Sequence, residues 1–217
     1  MVLDASTLAV PKVSSPAVIP AWPAPGERQA WLDGLNLALR RPDEYGGLEA
    51  VARLLDRLAA SEPPSPDGAV WLPDTLARMS TAGLLRQAFP DPELHVVVAQ
   101  YAEDAHRRGW LRVDRTLAPA EHADLVGALR DWMREDRTFP EVVARFGDPS
   151  VVHGPAEPDR PKTLTYVTTD RQAPVVTFHL AADPAAGPAV VLAARIDENI
   201  LGGWDLTPYG EKLFTEE

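Results

Sequence analysis

The chain contains no cysteine, which removes disulfides, thiolate nucleophiles, iron–sulfur ligation and cysteine-based zinc sites together. Positive charge is also short, with 21 basic residues against 32 acidic ones and a formal charge of −11. That balance opposes binding to nucleic-acid phosphates or anionic lipid, and no basic patch along the sequence overrides it. No apolar stretch approaches the roughly 18 residues that a membrane helix needs. The opening Met1-Val2-Leu3-Asp4-Ala5-Ser6-Thr7 lacks the charged and long apolar regions of a secretory signal, so a cytoplasmic protein is expected. Missing too are the GxxxxGK(S/T) and GxGxxG phosphate loops, the HExxH zinc helix and the GxSxG nucleophile elbow.

What is present fits a globular body: 45% hydrophobic and 24% charged residues. The 22 prolines are about twice ordinary usage, and five of them (Pro11, Pro16, Pro20, Pro23, Pro25) break up residues 1 to 25. This stretch reads as an extended arm, either a tail or a strap whose Val18, Ile19 and Trp22 pack on the body or a partner.

From residue 26 to 134 the hydrophobic period is helical. Trp31, Leu35, Ala38 and Leu39 predict a helix over 27 to 40, and Leu48, Val51, Leu54, Leu55 and Leu58 predict another over 48 to 60. A further helix is expected after Pro73, through Leu76, Met79, Leu84 and Leu85. The next follows Asp91-Pro92-Glu93 and buries Leu94, Val97, Val98, Tyr101 and Ala105 before stopping near Gly109. Trp110 to Val113 is a short strand or an ordered loop. Leu125, Leu129 and Trp132 mark a helix over 119 to 134. Thr138-Phe139-Pro140-Glu141 then sets a hydroxyl three residues before a glutamate, the reciprocal capping arrangement, and Gly147-Asp148-Pro149 closes the helix.

Beyond residue 160 the period falls to two. Thr163 to Thr169, Val175 to Ala181 and Val190 to Ile196 are predicted strands joined by links too short for crossover helices, so they should pair antiparallel. The expected fold class is α+β: a Pro-rich arm (1–25), a mainly helical region (26–134), and a helix with a small antiparallel sheet (135–217). The last region is either separate from the helical one or fused with it into one domain. In outline, the capped helix ending at Phe146-Gly147-Asp148-Pro149 and leading into antiparallel strands resembles the helix-plus-sheet modules of outer-membrane assembly lipoproteins and β-lactamase inhibitor proteins. That likeness covers about residues 138 to 196, implies protein contacts, and transfers no residue roles.

Among the five histidines, His95, His106 and His122 read as structural or solvent-facing, with His106 completing a solvated helix end. His179 differs, because alternation places it on one side of its strand with Val175 and Thr177. Should Thr163, Thr165 or Arg195 face the same surface, a semi-polar pocket forms there, with Asp197 just beyond the third strand. His179, Arg195 and Asp197 are therefore the catalytic candidates for a small-molecule hydrolase or transferase. The competing and leading reading is a protein-interaction or regulatory module, because no coherent catalytic signature is present. Its partner-binding candidates are Trp204, Tyr209 and Phe214, which lie around a Thr207-Pro208 helix start where large rings seal a core or anchor a partner. A protein partner is expected; no cofactor, metal, nucleic acid or membrane is called for.

Overall fold

The computed structural model describes residues 26–62, 93–183, 185–196 and 204–215. The proline-rich arm, the helix expected after Pro73, and Asp197 lie outside the described residues. Along the chain run α1 (Glu27–Arg40), α2 (Gly47–Ala60), α3 (Leu94–Arg107), α4 (Pro119–Trp132), α5 (Phe139–Phe146), β1 (Val151–His153), β2 (Lys162–Tyr166), β3 (Val176–Ala181), β4 (Val190–Ile196), β5 (Trp204–Leu206) and α6 (Pro208–Thr215). The α+β class and the antiparallel pairing of β2, β3 and β4 are as expected, in a five-stranded sheet ordered β1-β2-β3-β4-β5. Two short edge strands, β1 and β5, were not foreseen: at three residues each, neither shows a period. Trp110 to Val113 is irregular and forms no strand.

Each face of the sheet carries a helical layer. On one side Leu164, Tyr166, Val176, Phe178, Leu180 and Val191 meet Leu125, Leu129 and Met133 around α4, and Val142 and Phe146 of α5. Phe178 is central there, with the ring centroids of Trp132, Phe146 and Tyr166 at 5.9, 5.6 and 5.8 Å. On the other side α1 and α2 pack on each other and on α3 through Leu35, Leu39, Val51, Leu55, Leu58 and Val98, a cluster that also takes in Val151, Leu192 and Ala193 of the sheet. Gly46 and Gly47 turn the chain between α1 and α2 at φ 84 and 61, the bend that paired glycines allow.

The C-terminal helix is seated by an irregularity in β4. Pairing slips between His179 and Leu180, so that Val191 and Ala193 are matched and Leu192 is the extra residue. A bulge leaves such a residue's backbone groups outside the ladder. The Thr207 N–H donates to the Leu192 carbonyl at 3.1 Å, and the Thr207 hydroxyl donates to that of Val191 at 2.7 Å. Gly210 then lies so close that an added β-carbon would collide with the Leu192 carbonyl oxygen. Only glycine lets α6 approach the strand this closely.

Thr138 does begin α5, but its hydroxyl does not play the expected part. Glu141 reaches back, and its Oε2 accepts from the Thr138 N–H at 2.8 Å and from the Thr138 hydroxyl at 2.7 Å. The hydroxyl is thus a donor to the carboxylate and not the acceptor of a helical amide, so the glutamate carries the cap. The same half-box recurs at α4, where Glu121 accepts from the Ala118 N–H at 2.7 Å, and alanine has no side-chain acceptor to complete it. We expect Glu141→Ala to cost about 1 kcal/mol and Thr138→Ala no more than that. Urea unfolding of the two variants checks the order; a threonine variant clearly less stable than the glutamate variant would restore the hydroxyl as the capping group.

Candidate functional site

Strand register decides which side chains meet on the helix-covered inner face. Val151, Thr165, Thr177, Arg195 and Trp204 form one row across the five strands, and His153, Thr163, His179, Ala193 and Leu206 form the adjacent row. Residues two apart on a strand point the same way, so both rows share a face. His179 is accordingly brought together with Thr163, Thr165 and Arg195. His153, Thr163, Thr165, Thr177, His179 and Arg195 are each at 0% exposure, an unusual density of sealed polar groups.

Helices α1 and α3 roof these rows and supply partners to His153, Thr163 and Arg195, while the buried Thr177 hydroxyl has none among the described residues. His153 Nδ1 lies 2.7 Å from the Leu39 carbonyl oxygen and Nε2 lies 2.9 Å from the Thr165 hydroxyl. A carbonyl only accepts, so Nδ1 carries the proton and Nε2 accepts from Thr165. Burial drives the pKa of this histidine down to about 4. Thr163 Oγ1 sits 2.9 Å from His95 Nδ1 and 2.9 Å from His179 Nδ1. Having one proton, that hydroxyl donates to one imidazole and accepts from the other.

The outer end of this chain is at the start of α3. His95 Nε2 lies 3.2 Å from Glu93 Oε2, and this contact with His95 holds the Glu93 carboxyl below its ordinary range. The carboxylate favours a proton on His95 Nε2. His95 Nδ1 then receives the Thr163 proton, and His179 is the Nδ1–H tautomer. Burial, followed by the charge of Arg195, holds the His179 pKa well below the usual histidine value, so the ring is neutral.

Arg195 is matched by Glu103 of α3. Its Nη2 donates to Glu103 Oε1, which also accepts from Gln100 Nε2 at 3.2 Å. Burial pushes the Glu103 carboxyl up to about 7, against the pull of Arg195 and Arg107. The Trp204 ring closes the β5 end of this face, 5.1 Å from the His179 ring and 5.8 Å from the Arg195 guanidinium carbon.

Glu103 was missed in the sequence because Glu103-Asp104 reads as a solvated pair. A signal was available in the small or polar stripe His95, Ala99, Glu103 and His106 at helical spacing, opposite the apolar one. His106 belongs to that stripe and not to a solvated helix end: it is 7% exposed, and burial, reinforced by Arg171 and Arg107, lowers its pKa. His122 stays half-buried, its Nε2 2.8 Å from the Pro174 carbonyl oxygen.

Chemically, the inner face is an internal hydrogen-bond network. Neither His179 nor Arg195 lines either of two open clefts on the surface. One, of about 740 Å³, lies between the outer side of α5 and edge strand β1, walled by Phe139, Pro140, Val143, Pro149, Val152 and Pro158, with Asp114 and Asp148 at its rim. The other, of about 450 Å³, runs between the end of α4, β5 and the start of α6. Trp204 borders the second cleft, whereas Tyr209 and Phe214 are half-buried against the α1–α3 core. Among the described residues no group of three or more histidine, aspartate or glutamate side chains could hold a metal ion, and no helix is long and apolar enough to cross a membrane. Comparison with family models, curated proteins and solved structures gave no match.

The neutral buried histidines make stability depend on pH. The pKa of His153 is lower folded than unfolded, so its contribution is complete above the unfolded value near 6.5 and drains away as pH falls towards 4. The raised pKa of Glu103 acts in the opposite sense, so the histidine share is isolated by difference. Between pH 7.5 and 5.0 the native chain should lose about 2 kcal/mol more than His153→Gln. Urea denaturation at the two pH values measures this; identical pH dependence in the two proteins would show that His153 is not buried neutral.

Proposed function

We propose that this chain is a protein-interaction module whose docking site is the α5–β1 cleft, and that it takes an extended partner segment bearing apolar and basic side chains. The observation that carries this reading is the separation of chemistry from access. His153, His179 and Arg195 are sealed at 0% exposure and engaged with buried neighbours, while the open cleft is walled by apolar groups. A hydrolase or transferase working through His179 would need the α3 layer or Trp204 to move before substrate could reach the ring.

Three features support a peptide-like occupant. The cleft runs alongside edge strand β1, and its elongated apolar wall suits a chain in extended conformation. Pro140, Pro149 and Pro158 stiffen its walls, so little conformational freedom is lost on docking. Asp148 at the rim, on a chain of net charge −11, favours a basic segment and faster encounter with it, whereas Asp114 is already paired with Arg40 at 2.7 Å. Trp204, Tyr209 and Phe214 serve in this reading as rings that complete the fold, so their truncation lowers thermal stability in the isolated chain.

The test uses fluorescence anisotropy with labelled extended peptides of alternating apolar residues, flanked by arginines or by glutamates. The arginine peptide should bind, more tightly as salt is lowered. Ala144, which is exposed on the cleft wall, tolerates a charge without loss of core packing. Ala144→Arg should narrow the apolar wall, repel the basic flanks and weaken binding at least about fivefold, equivalent to about 1 kcal/mol, with an unchanged melting temperature. Equal binding of the two peptides, or an Ala144→Arg variant that binds as the parent does, would sink the proposal.

A further inference from the structure

The hydrogen-bonded chain across the inner face reaches solvent at Glu93. This residue stands just before α3 with 58% of its side chain exposed, whereas the His95 side chain is 6% exposed and Thr163 and His179 are sealed at 0%. The contacts run from Glu93 Oε2 to His95 Nε2 at 3.2 Å, from His95 Nδ1 to Thr163 Oγ1 at 2.9 Å, and from Thr163 Oγ1 to His179 Nδ1 at 2.9 Å. An exposed carboxylate is thereby linked to a buried imidazole, whose ring packs 5.1 Å from that of Trp204.

Each link has one proton to place, so the direction chosen at one end is imposed on the other. With a carboxylate at Nε2, His95 keeps its proton there, its Nδ1 accepts from Thr163, and Thr163 accepts from His179 Nδ1–H. The opposite direction puts a proton on His95 Nδ1, which donates to Thr163. The hydroxyl then donates to His179 Nδ1, and His179 carries its proton on Nε2. A mixed arrangement sets two N–H groups or two lone pairs against one hydroxyl and leaves a buried polar group unmatched, a penalty of roughly tenfold.

We propose that this chain is a charge-sensing relay: the negative charge of Glu93 fixes, through His95 and Thr163, which ring nitrogen of His179 bears its proton, and loss of that charge reverses the direction. Acid is the signal. A proton taken up by the His95 ring goes to Nδ1, since Nε2 already holds one. Thr163 then turns, and His179 exchanges its Nδ1 proton for one on Nε2. The His179 ring stays neutral, and the net uptake is one proton, on His95. The charges facing the relay are Arg160 of the β1–β2 link, which acts on Glu93, Arg40, which acts on His153 beside His95, and Arg195, which acts on His179. The arginines keep their protons. Glu103 beside Arg195 and His153 also titrate, so the test holds pH fixed and changes the charge at position 93 instead. The relay lies under α3 and does not rest on peptide binding in the α5–β1 cleft.

The experiment is nitrogen-15 NMR of the full chain at neutral pH, with ring correlations that separate protonated from unprotonated histidine nitrogens, on the native protein, Glu93→Gln and Glu93→Lys. Position 93 is exposed and outside the helix, so the core is kept. A lysine ammonium only donates, so His95 Nε2 has to accept from it. The ratio of Nδ1–H to Nε2–H at His179 should fall at least about tenfold in Glu93→Lys and take an intermediate value in Glu93→Gln. In a Thr163→Val background the same charge change should leave His179 as it was, whereas Thr163→Ser, which keeps the hydroxyl, should preserve the response. The Glu93 series decides the matter even where Thr163→Val does not fold. A His179 ratio constant to within about twofold across the three side chains overturns the proposal, and so does an equal response with and without the hydroxyl.

Discussion

An arginine inside a protein must be matched where it stands, because its guanidinium does not give up its proton and the cost of leaving the charge alone is several kcal/mol. Arg195 is at 0% exposure in the middle of β4, and Glu103 of α3 is what matches it. That single pairing sets how the helical layer lies on the sheet. Eight residues earlier on the same side of α3, His95 meets Thr163 of β2. Eight residues rise about 12 Å along a helix, and two strand spacings are about 10 Å. A helix laid across the strands from β2 to β4 can therefore satisfy both contacts at once, and α3 does.

The two faces of the sheet divide the labour. The face under α4 and α5 is apolar, with Phe178 ringed by Trp132, Phe146 and Tyr166, and it supplies the nonspecific part of stability through area removed from water. The face under α1 and α3 is a lattice of threonine, histidine and arginine whose partners are each directional. Such a lattice tolerates one docking of the helices and penalises every displaced one, since a shift leaves buried polar groups unmatched. Specificity of assembly is thus concentrated on one side. That side is sealed, and two open clefts among the described residues lie at opposite edges of the sheet, one apolar beside β1 and one of mixed charge beside β5.

Local rules made much of the scaffold legible. Helices α1, α2 and α4, the boundary at Thr138, and strands β2 to β4 follow from hydrophobic period, turn residues and link length, all of which act over fewer than about ten residues. The shared face of His179, Thr163, Thr165 and Arg195 was conditional on register, and register depends on a bulge at Leu192 that no residue type announces. Edge strands β1 and β5 are defined by pairing with β2 and β4 and not by their own pattern. Glu103 and His106 looked solvated because adjacent charges usually are.

By itself, then, the sequence determined the order and kind of most elements, the antiparallel sense of the central strands, and the absence of thiol chemistry. These are consequences of side-chain type and short spacing. Tertiary structure alone decided that a strand face bearing two histidines, three threonines and an arginine turns inward, and that Glu103, ninety-two residues from Arg195, comes to meet it. Burial of a charge is decided by what lies opposite, and what lies opposite comes from another part of the chain. The same holds for the clefts, whose walls join α5 to β1 and α4 to β5 and exist only after the layers have closed on the sheet.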